Sequence, residues 1–371
     1  MREGKAGMAD DLMGYLERGV ADVVRDIVAA AADDPREARF ALTFATASKR
    51  ATTRRARAEG RGVHVPPFLV CSIASRCNLH CSGCYAWTNR ICGVREDPGQ
   101  LSAQDWERIF AQASELGVSF ALLAGGEPCL RPDVLEMAGG RRDTLFPVFT
   151  NGMLLDGETL CLFDRHRNLV PVISVEGDAE QTDARRGVGT YAAVVQGMQR
   201  LLSRGLLFGV SVTVTRDNLD LVIGREFLDD LRRRGARAVV FVEYVPFDGS
   251  RDLAIDEAGR ERLAQGLLSL RGDFCDMVLI SFPGDEVLSG GCLAAGRGFF
   301  HINARGGVEP CPFSPYSDTN LAECSLEEAL DSPLFRHLRE RGLLEQEHEG
   351  GCVLFAHEAE VRAALACKEG E

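Results

Sequence analysis

The stretch Cys77-Asn-Leu-His-Cys81-Ser-Gly-Cys84 places three cysteines on one short segment of the chain. Three thiolates held this close together can bind three irons of a single cubane [4Fe-4S] cluster. Full coordination of such a cluster by protein takes four cysteines. A triplet therefore leaves one iron free to bind a molecule that reacts there.

With this C-x3-C-x2-C spacing, the chain resembles the radical S-adenosylmethionine (radical SAM) enzymes. The resemblance implies that Cys77, Cys81 and Cys84 hold a [4Fe-4S] cluster whose open iron binds the amino and carboxylate groups of S-adenosylmethionine. It also implies reductive cleavage of that cofactor to methionine and a 5′-deoxyadenosyl radical, which abstracts hydrogen from a substrate. A zinc site is the alternative, but zinc-binding sequences usually pair two C-x2-C units, and this chain has one.

Short apolar runs alternate with helical stretches from about residue 66 onwards. The predicted strands are residues 67–72, 120–123, 147–150, 170–175, 207–214 and 239–245, and the predicted helices include 102–116, 131–139, 190–204 and 225–234. Six β-then-α units indicate an α/β fold with a parallel sheet and right-handed crossovers. The pattern fits an open sheet or a partial barrel, and the resemblance implies the partial (β/α)6 barrel of a radical SAM core.

Residues with a predicted function follow these strands, at the carboxyl edge where parallel sheets bind ligands. The second strand is followed by Gly125-Gly126-Glu127-Pro128. Glycines allow close approach of the backbone to a ligand, and a carboxylate accepts a hydrogen bond from an ammonium group. Alone this stretch is a turn signal. After the cysteine triplet it resembles the family's motif for the methionyl amine, which implies that Gly125, Gly126 and Glu127 bind S-adenosylmethionine.

The third and fourth strands supply the other predicted cofactor contacts. Residues 150–152 are similar to the family's Thr-Asn-Gly, which implies a contact for Asn151, although a plain turn has the same composition. By the same resemblance, Ser174 contacts the nucleoside or methionyl part of the cofactor and Arg186 pairs with its carboxylate. Arg185 is an alternative to Arg186, and a surface salt bridge is the competing interpretation of both arginines.

The adenine side of the site is less well specified. Relatives often carry an aromatic residue between the second and third cluster ligands, where this chain has Gly83. We expect Tyr85 or Trp87 to fill that space. Apolar side chains at residues 245–246, where the sixth strand ends, are expected to pack against the adenine, and ordinary core packing is the equal alternative.

A second group of cysteines begins at Cys292 and continues with Cys311. Residues 299–303 and 308–310 alternate around a glycine-containing turn at 305–307, which predicts a β-hairpin. The spacing Cys292-x13-Gly-x4-Cys311 resembles the opening half of the auxiliary-cluster domain called SPASM. The later C-x2-C-x5-C-x3-C run is missing, so the shortened form resembles a twitch domain, which holds one auxiliary cluster.

The resemblance implies that Cys292, Cys311 and Cys352 bind an auxiliary [4Fe-4S] cluster. The fourth ligand is open between Cys324, Cys367, a side chain other than cysteine, and the substrate itself. Cys92 has no assigned role. The remaining cysteines lie in or beside apolar elements and are predicted to be buried structural thiols: Cys71, Cys129, Cys161 and Cys275.

Three regions follow from these patterns. Residues 1–65 form an N-terminal helical segment with a basic linker, residues 66–275 the radical SAM core, and residues 276–371 a small Cys-rich auxiliary domain. Within the first region, apolar residues recur at helical spacing: Leu12, Leu16, Val20, Val23 and Ile27. Its default role is to pack against the core. The basic stretch 49–61 is predicted to be a solvated linker, with a docking surface for an acidic partner as the alternative.

The composition limits the possible partners. A formal net charge of −13 argues against non-specific nucleic-acid binding, because DNA and RNA are polyanions. No run approaches the roughly 18 apolar residues that cross a bilayer, so no membrane span is expected. Residues 1–15 are polar and show no secretory signal. Thirteen clustered cysteines then predict a reducing cytoplasm and metal ligation rather than disulfides.

We therefore expect an enzyme that abstracts hydrogen from a substrate. A peptide or protein side chain is favoured because SPASM-like relatives act on such substrates, and a small-molecule or cofactor-precursor substrate is the alternative. An electron donor such as flavodoxin or ferredoxin is the other expected partner. A non-catalytic iron–sulfur electron carrier and a zinc-stapled structural protein are the competing interpretations. No residue is assigned as a catalytic acid, base or radical quencher.

Overall fold

The computed structural model describes residues 3–31, 34–345 and 352–366. The strands within these residues are β1 Phe68–Ala74, β2 Phe120–Gly125, β3 Phe146–Thr150, β4 Leu169–Ser174, β5 Gly209–Val214, β6 Ala238–Glu243, β7 Val278–Phe282, β8 His301–Ile302 and β9 Val308–Glu309. They form one sheet in the order β7-β6-β5-β4-β3-β2-β1-β8-β9. Strands β1 to β7 pair in parallel with their neighbours, so the predicted parallel α/β sheet is confirmed.

Helices connect the parallel strands, as the crossover geometry of such a sheet requires, and further helices precede β1 and follow β9. In the described residues they are α1 Glu3–Ala30, α2 Pro35–Glu59, α3 Tyr85–Thr88, α4 Ala103–Leu116, α5 Pro132–Gly140, α6 Gly157–Arg165, α7 Ala179–Arg186, α8 Thr190–Ser203, α9 Leu219–Val222, α10 Arg225–Arg233, α11 Glu257–Asp273, α12 Leu326–Ala329, α13 Pro333–Glu340, α14 Val353–Ala356 and α15 Glu358–Ala366. The four predicted crossover helices are present as α4, α5, α8 and α10. None of these described helices is long and apolar enough to span a membrane.

Both edges of the sheet are extended by residues that lie beyond the predicted core. Strand β7 pairs in parallel with β6, and β8 pairs in parallel with β1. The predicted hairpin is confirmed, because β8 and β9 pair antiparallel with His301 opposite Glu309. His301 is fully buried, and its Nε2 lies 2.7 Å from Ser72 Oγ on β1. The sheet is therefore continuous across the boundary predicted between residues 275 and 276.

The two N-terminal helices cover the amino edge of the sheet, opposite the edge where parallel sheets bind ligands. Their apolar faces meet in a buried cluster that includes Val20 and Ile27 of α1 and Phe44 of α2. The same cluster contains Phe120, the first residue of β2, and Leu145, which precedes β3. The predicted packing of this segment against the core is confirmed.

The predicted basic linker is wrong, because helix α2 continues to Glu59. Arg55 is completely buried, and its Nε donates to Glu17 of α1 at 2.7 Å. Its Nη1 donates to Ser119 Oγ at 2.9 Å and also to the carbonyl oxygen of Gly117. One arginine of the basic stretch thus joins both N-terminal helices to the start of β2. The composition of the stretch concealed this, since charge alone does not show which helix face is buried.

Candidate functional site

The three cysteines of the first group lie half-buried in the loop between β1 and α3. Cys77 N–H donates to the carbonyl of Gly93 at 3.2 Å, and Cys84 N–H donates to the carbonyl of Cys81 at 3.3 Å. Burial raises the pKa of Cys77 to about 11, and the nearby charges of Glu127, Cys81 and Cys84 add to the rise. The loop therefore brings the three thiols within electrostatic range of one another at the carboxyl edge of the sheet.

The donors of this loop fit an iron–sulfur cluster. The cysteines of a cubane bind separate irons, so they stand farther apart than the ligands of a single zinc ion. Three half-buried thiols on one loop, with an amide donor at Cys77, match the needs of a cluster.

That amide donor is Asn151, which follows β3. Its Nδ2 lies 4.0 Å from Cys77 Sγ and donates to Asn78 Oδ1 at 2.8 Å, while its Oδ1 accepts from Met153 N–H at 3.0 Å. Hydrogen bonds to cluster sulfurs tune the reduction potential. The structure thus places Asn151 against the cysteine loop, and its predicted contact with S-adenosylmethionine stays a prediction.

Glu127 joins the ends of β2 and β3. Its carboxylate is 1% exposed and accepts from Thr150 Oγ1 at 2.7 Å, Asn151 N–H at 2.8 Å and Cys129 N–H at 3.0 Å. Burial raises its pKa, and the hydrogen bonds from Asn151 and Cys129 oppose that rise. In this structure Glu127 positions Asn151 beside the cysteine loop. Its predicted hydrogen bond with an ammonium group stays a prediction.

The two glycines before Glu127 allow the end of β2 to contact the start of the cysteine loop. Gly126 N–H donates to the carbonyl of Ala74 at 2.7 Å, and Glu127 N–H donates to the carbonyl of Arg76 at 2.9 Å. A Cβ on Gly126 would stand 2.0 Å from the Arg76 carbonyl oxygen. Gly125 has φ +117°, a conformation that favours glycine. The glycines therefore support the loop that carries Cys77, and their predicted cofactor contacts are untested.

Substitution of Gly126 by alanine should displace the Arg76 carbonyl and with it the adjacent Cys77. We expect a loss of about 1–3 kcal/mol in the free energy of unfolding, the usual cost of overpacking, and a lower iron and sulfide content after anaerobic reconstitution. The control is Gly140→Ala, at a helical glycine with no atom within 4 Å of an added Cβ. Equal cluster content in the two variants would contradict the assigned role of Gly126.

Glu176, which the sequence analysis missed, pairs with both candidate arginines. Its Oε1 accepts from Arg185 Nη1 at 2.6 Å and from Arg186 Nε at 2.7 Å, and its Oε2 accepts from Thr213 N–H at 3.0 Å. Burial raises the pKa of Cys81, whereas the guanidinium groups of Arg186 and Arg185 oppose that rise. Both arginines therefore lie near a thiol of the loop. The pairing of Arg186 with a cofactor carboxylate stays a prediction.

Ser174 occupies the carboxyl end of β4. Its Oγ lies 3.1 Å from Ser211 Oγ on β5. The backbone of the cysteine loop reaches the same region, because Ser82 N–H donates to the carbonyl of Arg185 at 2.9 Å. The structure thus brings Ser174 and the two arginines to the edge that carries the cysteines, as the sequence predicted. The contact of Ser174 with the nucleoside or methionyl part of the cofactor stays a prediction.

The space beside Gly83 is filled by Tyr244, so the expectation for Tyr85 or Trp87 is wrong. Gly83 has φ +65°, and a Cβ there would stand 2.6 Å from the Tyr244 ring. Tyr244 directly follows β6, is 3% exposed, and donates from its hydroxyl to Asp248 Oδ1 at 2.6 Å. Its position after a strand of the sheet was the signal that could have identified it.

Cys292, Cys311 and Cys352 come together in the second site. Burial raises the pKa of Cys292, and the charges of Glu286, Cys311 and Cys352 raise it further. Burial also raises the pKa of Cys352 to about 12. Burial and the charges of Glu328 and Glu323 raise the pKa of Cys324, and Arg108 opposes that rise. The role of Cys324 as fourth ligand stays a prediction, and Cys367 lies outside the described residues.

The other cysteines only partly match expectation. Cys71 and Cys129 are buried as predicted, but Cys161 and Cys275 are exposed, so their prediction was wrong. Both lie on or beside a helix surface, where apolar neighbours in sequence do not guarantee burial. Cys92 is buried, and burial and the charges of the cysteine triplet raise its pKa. Sequence reasoning missed this thiol beside the first site because it lies outside the motif.

Aromatic rings connect the two cysteine groups. The ring of Tyr85, directly after the last cysteine of the first group, lies 5.4 Å from the ring of Phe313. Phe313, two residues after the second cysteine of the other group, lies 5.6 Å from Phe247. Phe247 in turn lies 4.9 Å from Phe355. These contacts form an apolar bridge between the two candidate clusters.

Comparison with known proteins agrees with this arrangement. Residues 71–224, which contain the cysteine triplet and the ends of β2 to β4, match the family model described as the Radical SAM superfamily. The chain is 28% identical over 299 residues to mycofactocin maturase MftC of Mycobacterium ulcerans (strain Agy99), covering 75% of this chain and 78% of that protein. It is 25% identical over 307 residues to the AdoMet-dependent heme synthase of Methanosarcina barkeri (strain Fusaro / DSM 804), covering 75% and 86%.

The fold is similar to that of SuiB from Streptococcus suis. The crystal structure of SuiB bound to S-adenosylmethionine has a TM-score of 0.65 at 21% identity, covering 80% of this chain and 75% of SuiB. The structure of SuiB bound to the precursor peptide SuiA has a TM-score of 0.64 at 21% identity, covering 82% and 76%. At this level of identity the likeness shows the fold.

Proposed function

We propose that this chain is a radical SAM enzyme in which Cys77, Cys81 and Cys84 hold the [4Fe-4S] cluster at which S-adenosylmethionine is cleaved, a proposal supported by the match of residues 71–224 to the Radical SAM superfamily. One observation carries the proposal. The three thiols lie together at the carboxyl edge of the sheet, and Glu127 and Asn151 hold the neighbouring strand ends against their loop.

When bound, the cluster and its cofactor supply reductive cleavage of the sulfonium and a 5′-deoxyadenosyl radical for hydrogen abstraction. The residues of the chain position that chemistry. Asn151 directs an amide N–H toward Cys77, and the positive charges of Arg185 and Arg186 lie near Cys81. The ring of Tyr244 packs against Gly83 of the loop. The predicted cofactor contacts of Gly125, Gly126, Ser174 and Arg186 are part of this proposal.

The proposed substrate is a peptide or protein side chain. MftC is a maturase, and the SuiB structure contains a precursor peptide, so two similar proteins support this class. A small-molecule substrate such as a heme precursor is the second candidate, favoured by the similarity to an AdoMet-dependent heme synthase. The residues of the first site would serve either candidate. Only identification of the substrate can therefore distinguish them.

The second cysteine group is proposed to hold an auxiliary [4Fe-4S] cluster in a SPASM/twitch-like region. Its support is the convergence of Cys292, Cys311 and Cys352 next to the aromatic bridge. A flavodoxin or ferredoxin is proposed as the electron donor. The cytoplasm is the proposed location, supported by the twelve described cysteines, all of which are free thiols.

Anaerobic reconstitution followed by dithionite reduction tests the function. We expect 5′-deoxyadenosine to form from S-adenosylmethionine, with about eight irons and eight sulfides per chain for two clusters. Deuterium transferred to 5′-deoxyadenosine from a labelled peptide would identify a peptide substrate, and transfer from a labelled heme precursor would identify the second candidate. Bound zinc without sulfide, or no cleavage by a fully loaded protein, would overturn the proposal.

A further inference from the structure

Glu286 enters the second cysteine site on a rigid segment of backbone. It lies in the turn Gly284–Ser289 that follows β7. Its N–H donates to the carbonyl of Pro283 at 2.8 Å, and its own carbonyl accepts from Ser289 Oγ at 2.6 Å. The neighbouring Asp285 is held by Arg271 at 2.7 Å. The Glu286 side chain therefore has little freedom, and it is only 7% exposed.

One oxygen of this buried carboxylate is unsatisfied. Glu286 Oε1 has no hydrogen-bond partner among the residues that the structure describes. Buried polar groups are nearly always paired, because an unpaired one costs several kcal/mol. Burial raises the pKa of Glu286 to about 7, and hydrogen bonds from the Cys292 thiol and the Leu293 N–H oppose that rise. The unpaired oxygen thus stands beside a predicted cluster ligand and requires a partner.

The same carboxylate is close enough to act on all three cysteines of the site. The charge of Glu286 acts on Cys292, on Cys311 and on Cys352, and the thiols also act on one another. Cys311 is 2% exposed, so these interactions occur in the protein interior. Three thiols and one carboxylate therefore lie within electrostatic range of one another in the protein interior.

We propose that Glu286 is the fourth protein ligand of the auxiliary cluster and binds, through Oε1, the iron that Cys292, Cys311 and Cys352 leave free. The inference rests on the auxiliary cluster of the proposed function. It makes this cluster fully ligated by protein, so its irons have no site for substrate and its role is electron transfer. A carboxylate oxygen is a harder ligand than a thiolate, so one iron differs chemically from the other three.

Both basic and acidic side chains lie around the second cysteine site. Arg297 is 8% exposed, its Nη1 donates to the carbonyl of Cys292 at 2.6 Å, and its charge acts on Glu286. Other nearby acids are Glu309, whose charge acts on Cys311, and Glu243, whose charge acts on Cys352. Glu243 is paired with Arg260 at 2.9 Å and Glu309 with His301 at 2.6 Å, so the three carboxylates face two guanidinium groups and one imidazole. Because net charge helps set cluster potentials, removing the carboxylate charge should raise the reduction potential.

The test uses the full chain with Cys77, Cys81 and Cys84 replaced by alanine, so that only the auxiliary cluster is observed. After reconstitution with the Mössbauer isotope of iron, we expect one of its four irons to give a distinct doublet with a higher isomer shift. Glu286→Cys should retain the cluster and merge that doublet with the others. Glu286→Gln should raise the reduction potential and make one iron easily lost on oxidation, which gives the electron paramagnetic resonance signal of a three-iron cluster.

Matched variants separate this proposal from its competitors. Cys324→Ser and Cys367→Ser should leave the Mössbauer spectrum and the potential unchanged. A spectrum unaffected by Glu286→Gln and Glu286→Cys, or altered instead by Cys367→Ser, would overturn the assignment. A triple-alanine protein without iron or sulfide would overturn the auxiliary cluster itself, whereas S-adenosylmethionine cleavage by the unmodified chain tests the first site independently.

Discussion

Replacement of Cys81 by alanine is expected to reduce S-adenosylmethionine cleavage to the level of a protein-free control. Cys81 is the central cysteine of the triplet, and its thiol lies near Arg185 and Arg186. Without it, two thiolates are left for a cluster that needs at least three to stay attached while one iron is open. The measurement is 5′-deoxyadenosine formation by chromatography after anaerobic reduction, with iron and sulfide determined on the same sample.

The matched control for this experiment is Cys92→Ala. Cys92 is buried, and its thiol interacts with those of the triplet, so removing it changes the same surroundings without removing a predicted ligand. We expect this variant to retain both the cluster and the cleavage activity. If Cys81→Ala keeps its activity while Cys92→Ala loses it, the ligand assignment is wrong and Cys92 replaces Cys81.

Arg55→Ala is expected to lower the free energy of unfolding by about 3 kcal/mol, the lower end of the range for removing one partner of a buried ion pair. Arg55 is fully buried, whereas its partner Glu17 keeps 24% of its side chain exposed. Water can therefore partly solvate the carboxylate that the substitution leaves unpaired, which places the cost at the lower end of the range. The substitution also removes the guanidinium N–H group that donates to Ser119 Oγ and to the carbonyl oxygen of Gly117. Since whole domains are stable by about 5–15 kcal/mol, this loss is large. Urea denaturation of the cluster-free chain measures it.

The control lies two residues along the same helix. Arg57 is exposed, so Arg57→Ala should change stability by less than about 0.5 kcal/mol, as surface substitutions usually do. Glu17→Gln in the Arg55→Ala background should then add little, because the pair is already broken. Equal unfolding midpoints for the Arg55 and Arg57 variants would show that the buried pair does not hold the N-terminal helices in place.

These two predictions concern opposite edges of one sheet. Arg55 joins the N-terminal helices to the segment before β2, whereas Cys81 lies beyond the carboxyl end of β1. A stability defect at the amino edge should therefore lower the amount of folded protein without changing the cleavage rate per loaded cluster. This separation allows the function of the first site to be measured in a destabilised chain.

Neighbouring residues in the sequence were sufficient to predict the helices, strands and turns that short-range patterns determine. The six core strands, four crossover helices and the hairpin around Gly306 follow from short-range periodicity and turn chemistry, and all are present. The linker at 49–61 was misjudged, because a run of arginines has the same composition whether its helix is exposed or, as at Arg55, partly buried. The exposed Cys161 and Cys275 were misjudged for the related reason that neighbours in sequence do not show burial.

The sequence by itself was enough to predict the ligand set of the first site, because three closely spaced cysteines on one loop suggest it without help from the rest of the chain. Only the tertiary structure decided which groups surround those ligands. Glu176 and Tyr244 are far in sequence from the cysteine loop, and Glu286 is far from Cys311 and Cys352. Each is an unremarkable residue until the fold brings it to those cysteines. Burial and long-range electrostatic contact depend on that convergence, and no local spacing records it.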